Sequence, residues 1–300
     1  MNYDASEQQG AGLSSVGRFG ESLFIANTRR LLRNPMGMTG LAIVATLLVL
    51  GLLAPLIAPH DPLEQYRGHR LEGPSGTFWF GTDEINRDLF SRTLYGLRAS
   101  VLISIVSVVA GGTAGIVVGF VAGYVGGLVE NVVMRFVDVL FAFPALLLAL
   151  ALIATFGSSQ GNVALGIGIA TFPIFARLAR AQMLVESHED YVLAARATGA
   201  RATRIIFRHV ALNASPPLLV QAALSIAIAV LLEAALGFLG IGTTPPDPSL
   251  GQLINDARAR LDEWHLLVFP SGALALLIFG LNLLSDALSD VMNPHRIRLK

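Results

Sequence analysis

The sequence predicts an all-α membrane protein with six spanning helices, and three observations point to it. Apolar residues make up 53% of the chain and charged residues only 14%, well below the roughly 25% charged usual in soluble domains. Such a chain cannot cover its own surface with polar groups, so lipid is part of its solvent. Apolar runs fit to cross a ~30 Å hydrocarbon core as helix, which takes about 20 residues, recur along the chain. Arginine and lysine are spread unevenly between the connections, which sets an orientation.

The first run, 40–58, ends at Pro59-His60-Asp61-Pro62 and follows a polar tail that carries Arg29, Arg30 and Arg33. A cleaved signal peptide starts nearer the N-terminus and has an apolar core of only ~7–15 residues. An uncleaved span is therefore expected. Residues 59–98 form a long connection in which Thr82-Asp83-Glu84 reads as a helix start, with Asp83 as N-cap. Ile85, Leu89, Phe90, Leu94 and Leu97 then give an apolar face for an interfacial helix. Further runs follow at 99–125, 132–156, 163–178, 210–241 and 266–284. In the second, Gly111, Gly115, Gly119 and Gly123 recur every fourth position. In a soluble helix each costs about 1 kcal/mol against alanine; in a membrane the stripe lets a neighbouring backbone approach closely.

With the N-terminus inside, fourteen arginines and lysines fall in inner segments against seven in outer ones, so both termini are expected in the cytoplasm. The resulting divisions are a tail (1–38), an additional N-terminal span (39–58) and an extracytoplasmic segment (59–98). A core of five spans follows (99–290), containing an inner loop (179–209) and an outer loop (242–265), and then a tail (291–300).

Composition also removes function classes. A net charge of zero disfavours nucleic acid as a partner. Cysteine is absent, and Lys300 is the only lysine. A phosphate-binding loop needs a lysine behind its glycines, so the chain holds no nucleotide site of that kind. The six histidines have no His-Glu-x-x-His spacing, and no metal site is expected. No nucleophile or cofactor motif supports an enzyme.

The inner loop is the most informative segment. Residues 190–200 read as a short helix ended by Gly199. Tyr191, Ala194, Ala195 and Thr198 stand at i, i+3, i+4 and i+7, a face of mostly small residues suited to docking against a partner. The spacing alone fits an ordinary cytoplasmic hairpin equally well. A second helix, 201–208, returns the chain to the membrane.

At membrane depth, Asp138, Gln221 and Glu233 need a reason, because an ionised carboxylate there costs several kcal/mol unless paired or hydrated. Gln221 and Glu233 are twelve residues apart on one span, about 18 Å. Each carboxylate either lines a translocation path or ties helices together; for Asp138 the tie is the favoured reading, and for Glu233 both stay open.

Ala194, Ala195 and Gly199 stand in register with the EAA loop of bacterial ABC-importer permeases, which the inner loop resembles. It departs from that pattern at Leu193, where the family has glutamate, and at His209, Ala211 and Leu212. The resemblance narrows to the C-type permease of dipeptide, oligopeptide and nickel importers. It is carried by residues 80–92 (with Asn86 where the family has glycine), 135–144, 237–242, 245–249, 282–286 and 293–294 in the family's order. Arg33-Asn34-Pro35 and Ala58 to Pro62 resemble that branch's additional N-terminal span.

The resemblance implies the type I importer permease fold in the bacterial inner membrane. The implied partners are a homologous second permease, two ABC ATPases holding ATP and magnesium, and an extracytoplasmic binding protein that delivers a peptide. It assigns ATPase coupling to Tyr191, Ala194, Ala195, Arg196, Thr198, Gly199, Arg204 and His209, and docking of the binding protein to Pro245, Pro246, Asp247 and Pro248. The chain itself is expected to hold no cofactor. A rival reading is an ion-coupled secondary transporter using Asp138 and Glu233. Nickel chelates, opines and other peptide-like solutes remain alternatives within the ABC role.

Overall fold

The computed structural model describes residues 30–243 and 246–292, and among these it has no β-strand. Nine helices carry the architecture: α1 Pro35–Leu52, α2 Leu89–Val125, α3 Gly127–Phe141, α4 Ala145–Phe156, α5 Gln160–Glu186, α6 Asp190–Ala197, α7 Ser215–Phe238, α8 Leu250–Ala257 and α9 Trp264–Met292. Five of them (α1, α2, α5, α7 and α9) are long and apolar enough to cross a membrane, and α3 with α4 makes a sixth span if the bent pair is counted as one.

That bend corrects the continuous third span expected over 132–156. The axes of α3 and α4 meet at 88°. Pro144, with ψ at 131°, sits at the entry to α4; it has no N–H to give to the preceding turn and its ring excludes a helical carbonyl four residues back. Hydropathy passes through such a break unaltered, because it counts residues and not directions.

The glycine stripe does what its period implied. A Cβ built on Gly111 would lie 2.1 Å from the Gly168 carbonyl oxygen, one on Gly115 2.6 Å from that of Phe172, and one on Gly119 2.3 Å from that of Ala176. Both helices advance by four residues per contact, so α2 and α5 run parallel with their backbones touching. Around this seam Phe120, Phe175, Met183, Val192, Ile205 and Val210 form the largest core. A second seam joins α1 and α9 in antiparallel fashion, where a Cβ on Gly40 would reach the backbone nitrogen of Leu284 at 2.6 Å.

Topology sorts the connections to two ends. The loop carrying α6 lies at one end, together with Pro35 and Met292. The segment 58–88 and α8 lie at the other. The start of α1 and the end of α9 thus lie on the same side, as the expected parity requires. The two terminal tails fall outside the described residues.

The start of α2 also differs from expectation. Its N-cap is Asp88, whose side chain accepts from the Ser91 N–H at 3.0 Å, and the helix runs unbroken through the second span, so no separate interfacial helix begins at Asp83. Asp83 instead closes a turn: its carboxylate accepts from the N–H groups of Ile85 (3.0 Å) and Arg87 (2.9 Å) and pairs with the Arg87 guanidinium at 2.7 Å. Asn86 in that turn has φ of +66°, the left-handed region that asparagine tolerates better than most residues.

Candidate functional site

At the α6 end the chain builds a groove of about 780 Å³ lined by Tyr191, Ala194, Ala195, Thr198, Gly199, Ala200, Arg201, Thr203, Arg204 and His209. Helix α6 supplies the floor. Its Val192 is fully buried in the main core, which roots the helix and turns the small residues Ala194 and Thr198 outward. Tyr191 is held by a hydrogen bond from its hydroxyl to the Glu186 carboxylate. Burial, and then this bond, push the phenol up to about 12, so it remains a donor at physiological pH. Gly199, at φ +76°, ends the helix, a conformation open to glycine without strain.

From Gly199 the chain turns back through Ala202–Arg204 into a π-helical turn, Ile205–Val210. The expected second helix, 201–208, is therefore helical but widens beyond an α-helix over its second half. The wide turn buries Ile205, Ile206 and Val210 in the bundle while Arg204 and His209 line the groove. Seven of the eight residues assigned to coupling thus share one cavity. Arg196 does not: its guanidinium lies over the Tyr124 ring, 5.3 Å from the centroid. Leu193, where the family has glutamate, is half-exposed and also off the groove. Ala200, Arg201 and Thr203 line it without having been singled out in the sequence. Small floor residues, two threonine hydroxyls and a cationic rim suit the groove to receive another protein's helix.

The three intramembrane polar residues are not brought together. Asp138 pairs with Arg177 at 2.6 Å on the α3–α5 face. Gln221 donates to Ser225 on its own helix at 3.1 Å. Glu233 is fully buried at the other end of the bundle, with Ser100 of α2 and Ser249, the N-cap of α8, as its polar neighbours. Neither carboxylate oxygen completes a hydrogen bond of normal geometry. Glycines let α8 wedge into this junction: a Cβ on Gly251 would lie 2.1 Å from the Ala234 carbonyl oxygen, and one on Gly96 3.1 Å from the Leu250 nitrogen.

This places Glu233 among three packed elements and gives a specific expectation. Glu233→Ala, by opening a hole among these three elements, should destabilise the α8 junction by about 2 kcal/mol. Hydrogen exchange of residues 249–257 reads this directly. Glu233→Gln, which keeps the volume and the polarity, should leave exchange and transport within about twofold. Lost transport in Glu233→Gln with α8 still protected would instead put this carboxyl on the solute's path.

The α8 end holds a further polar network that sequence reading missed. Arg92 is 1% exposed; its Nη1 donates to the Pro62 carbonyl at 3.1 Å and its Nε lies 3.5 Å from Asp83. Asp256 on α8 faces this network, and burial pushes its carboxyl up against the opposing pull of Arg92 and Arg87. Asp88 accepts from the Ser91 hydroxyl at 2.5 Å and faces His60 at 3.4 Å. These contacts clamp segment 58–88 onto α2 and α8. The only sequence signal was an arginine between the buried Leu89 and Leu94. Beyond Gly242, Pro246 and Asp247 are exposed and Pro248 is buried, whereas Pro245 lies outside the described residues. Among the described residues no group of three histidine, aspartate or glutamate side chains is placed to hold a metal.

Comparison with known proteins agrees on one family. Residues 115–298 match the family model described as binding-protein-dependent transport system inner membrane component, and residues 22–74 match the N-terminal TM domain of oligopeptide transport permease C. The dipeptide transport system permease protein DppC of Escherichia coli K12 is 44% identical over 269 residues, 87% of this chain and 90% of that protein. The glutathione transport system permease protein GsiD of Pectobacterium atrosepticum is 38% identical over 268 residues, 89% of each chain. A solved inward-facing structure of the MetNI methionine ABC transporter superimposes with a TM-score of 0.56, covering 67% of this chain and 96% of that one at 17% identity.

Proposed function

The chain belongs to the binding-protein-dependent transport system inner membrane component family, and we propose that the groove at α6 is where an ABC ATPase seats to drive peptide import through it. The protein is a multi-pass membrane permease of a bacterial ABC importer. With a second permease it encloses the path for a peptide handed over by a binding protein. The dipeptides and glutathione named for its relatives share a free ammonium and a free carboxylate, and solutes of that class are the proposed cargo.

One observation carries the reading of the groove. Residues spaced over 191–209 converge on a single cavity whose floor is rooted in the membrane core through Val192. A push on α6 therefore passes into the α2–α5 seam without an intervening hinge. The α6 end also carries Arg135, Arg180, Arg196, Arg201, Arg204 and Arg208, which by the positive-inside rule faces the cytoplasm, where the ATPase and its ATP and magnesium reside. The α8 end then meets the binding protein, with Pro246 and Asp247 exposed for contact. In this arrangement the chain performs no chemistry of its own.

The test is reconstitution in liposomes of this chain with the second permease, two ATPase subunits and the binding protein. ATP-dependent uptake of dialanine is expected, with the ATPase co-purifying on this chain. Uptake by the chain alone, driven by a proton gradient and indifferent to ATP, would instead establish an ion-coupled transporter.

A further inference from the structure

We propose that His60 is a proton-operated clasp fastening segment 58–88 to the start of α2, closed when its imidazole is protonated and released when it is neutral. The inference goes beyond the import reading and uses neither its cargo nor its ATPase. Every group in the clasp belongs to this chain, and Asp88 at its centre is fully buried by the chain's own atoms. The His60 side chain is 19% exposed, and its Nδ1 lies 3.4 Å from Asp88 Oδ2. Ser91 sets the pairing: its hydroxyl oxygen accepts from the His60 N–H at 3.3 Å, while its own N–H (3.0 Å) and hydroxyl (2.5 Å) donate to Asp88 Oδ2. Oδ2 is thus supplied with donors, whereas the buried Asp88 Oδ1 and the buried His60 Nδ1 each lack a hydrogen-bond partner.

An imidazolium carries hydrogen on both ring nitrogens. Protonation therefore gives Nδ1 a hydrogen for Asp88 and sets a cation against the buried carboxylate. The ring also stands 4.9 Å from Tyr66 and 5.0 Å from Phe78, whose π-systems attract a cation more than a neutral ring. The other charged and titratable groups nearby have partners of their own. On the segment itself, Asp61 accepts from the Leu63 N–H, Glu64 from the Tyr66 hydroxyl, and His69 pairs with Glu72. From α2 and the turn before it, Arg92 donates to the Pro62 carbonyl and faces Asp83, which also holds Arg87. From α8, Asp256 faces Arg92; from the start of α9, His265 faces Glu263 and the Thr82 carbonyl. Glu72 and Glu263 are 41% and 33% exposed, so of these three histidines His60 alone faces a fully buried carboxylate. Histidine side chains exchange their proton between about pH 5 and 8. The bonded form is the protonated one, so the clasp holds at acid pH and opens as pH rises through that range. In the orientation proposed above it faces the outside, whose pH the cell does not set.

The experiment is hydrogen exchange of the full chain in lipid nanodiscs at pH 5.5 and pH 8, with each rate divided into that of the free peptide at the same pH. The reporters are the amides of His60, bonded to Ser91, and of Tyr66, bonded to the Asn86 carbonyl at 2.8 Å. Both should be about tenfold more protected at the lower pH, the scale of a hydrogen bond to a charged group. His60→Phe keeps a ring among its neighbours, and Asp88→Asn keeps a capping side chain at the helix start. Each should level the protection at the two pH values to within about twofold, and the double variant should match either single one. His69→Gln should retain the wild-type dependence. The clasp is overturned if the wild-type amides are equally protected at both pH values, if either single variant keeps the dependence, or if His69→Gln abolishes it. Amides of residues 40–44 in the α1–α9 seam are the reference: an equal change there in the wild type marks a response of the whole fold and also overturns the clasp. A single variant that loses this reference protection has unfolded, and the other then decides. No peptide, nucleotide or binding protein enters the measurement, so its outcome is separate from that of the import reading.

Discussion

Replacing Ala194 with tryptophan should reduce ATP-driven uptake roughly thirtyfold or more while the chain still reaches the membrane in normal amount. Ala194 is exposed on the groove floor and is not among the residues packed into the main core, so an indole there fills the groove and disturbs nothing inside. Loss of a central contact in such a pocket costs about 2 kcal/mol or more, which is the stated factor. Co-purified ATPase should fall in step. Leu193→Ala, one residue away but off the groove, should change uptake less than twofold. Equal losses in the two variants would remove the groove from the coupling surface and leave α6 as a plain connection.

Adding one methyl group at Gly111 or Gly119 should have the largest effect on stability. The new Cβ would stand 2.1 or 2.3 Å from a carbonyl oxygen of α5, and backbone cannot swing aside as a side chain can. The two helices would have to part along the whole seam, at about 3 kcal/mol for each substitution, the upper end for overpacking. Thermal unfolding in detergent should show a lower midpoint for Gly111→Ala and Gly119→Ala, with near-complete loss of accumulation for the pair. Gly272→Ala is the reference, since nothing lies within 4 Å of its Cβ position on α9. That change should be neutral or slightly stabilising, as alanine favours helix over glycine. Unchanged midpoints for the α2 variants would mean that α2 and α5 do not pack through this stripe.

The groove at α6 was legible to the extent that it follows helical period. Tyr191, Ala194, Ala195 and Thr198 are spaced for one face, and that face lines the groove. Arg196 was grouped with them by motif, but it stands five residues from Tyr191 and so points to another side, over Tyr124. Ala200, Arg201 and Thr203 could not be found by period, because the chain leaves the helix at Gly199 and returns through a π-turn whose path depends on Ile205 and Ile206 being buried. The loss of glutamate at Leu193 matters less to the groove than the family pattern suggested, since that position does not line it.

The α8 end was less legible. Asp83 and Asp88 are both good N-caps by residue type, and nothing local ranks them. Asp88 wins because Asp83 is engaged by Arg87 and faces the buried Arg92. Glu233 was visible as an acid in an apolar span, but its setting needs α2 and α8, which come from 133 residues before it and 16 after it, measured to Ser100 and Ser249.

Sequence alone determined the membrane solvent, the number and order of the apolar segments, the parity of the ends, and the glycine and small-residue faces. All of these are sums or periods over neighbouring residues, and the free energy of moving a residue into lipid is set chiefly by its own chemistry. Only the tertiary structure decided which helix meets the glycine stripe, where the third span breaks, and that Asp138 faces Arg177 while Glu233 lies buried beside two serines. Those outcomes depend on distances of a few ångströms between segments far apart in the chain. Contact and Coulomb energies at that range follow three-dimensional position, which local pattern does not encode.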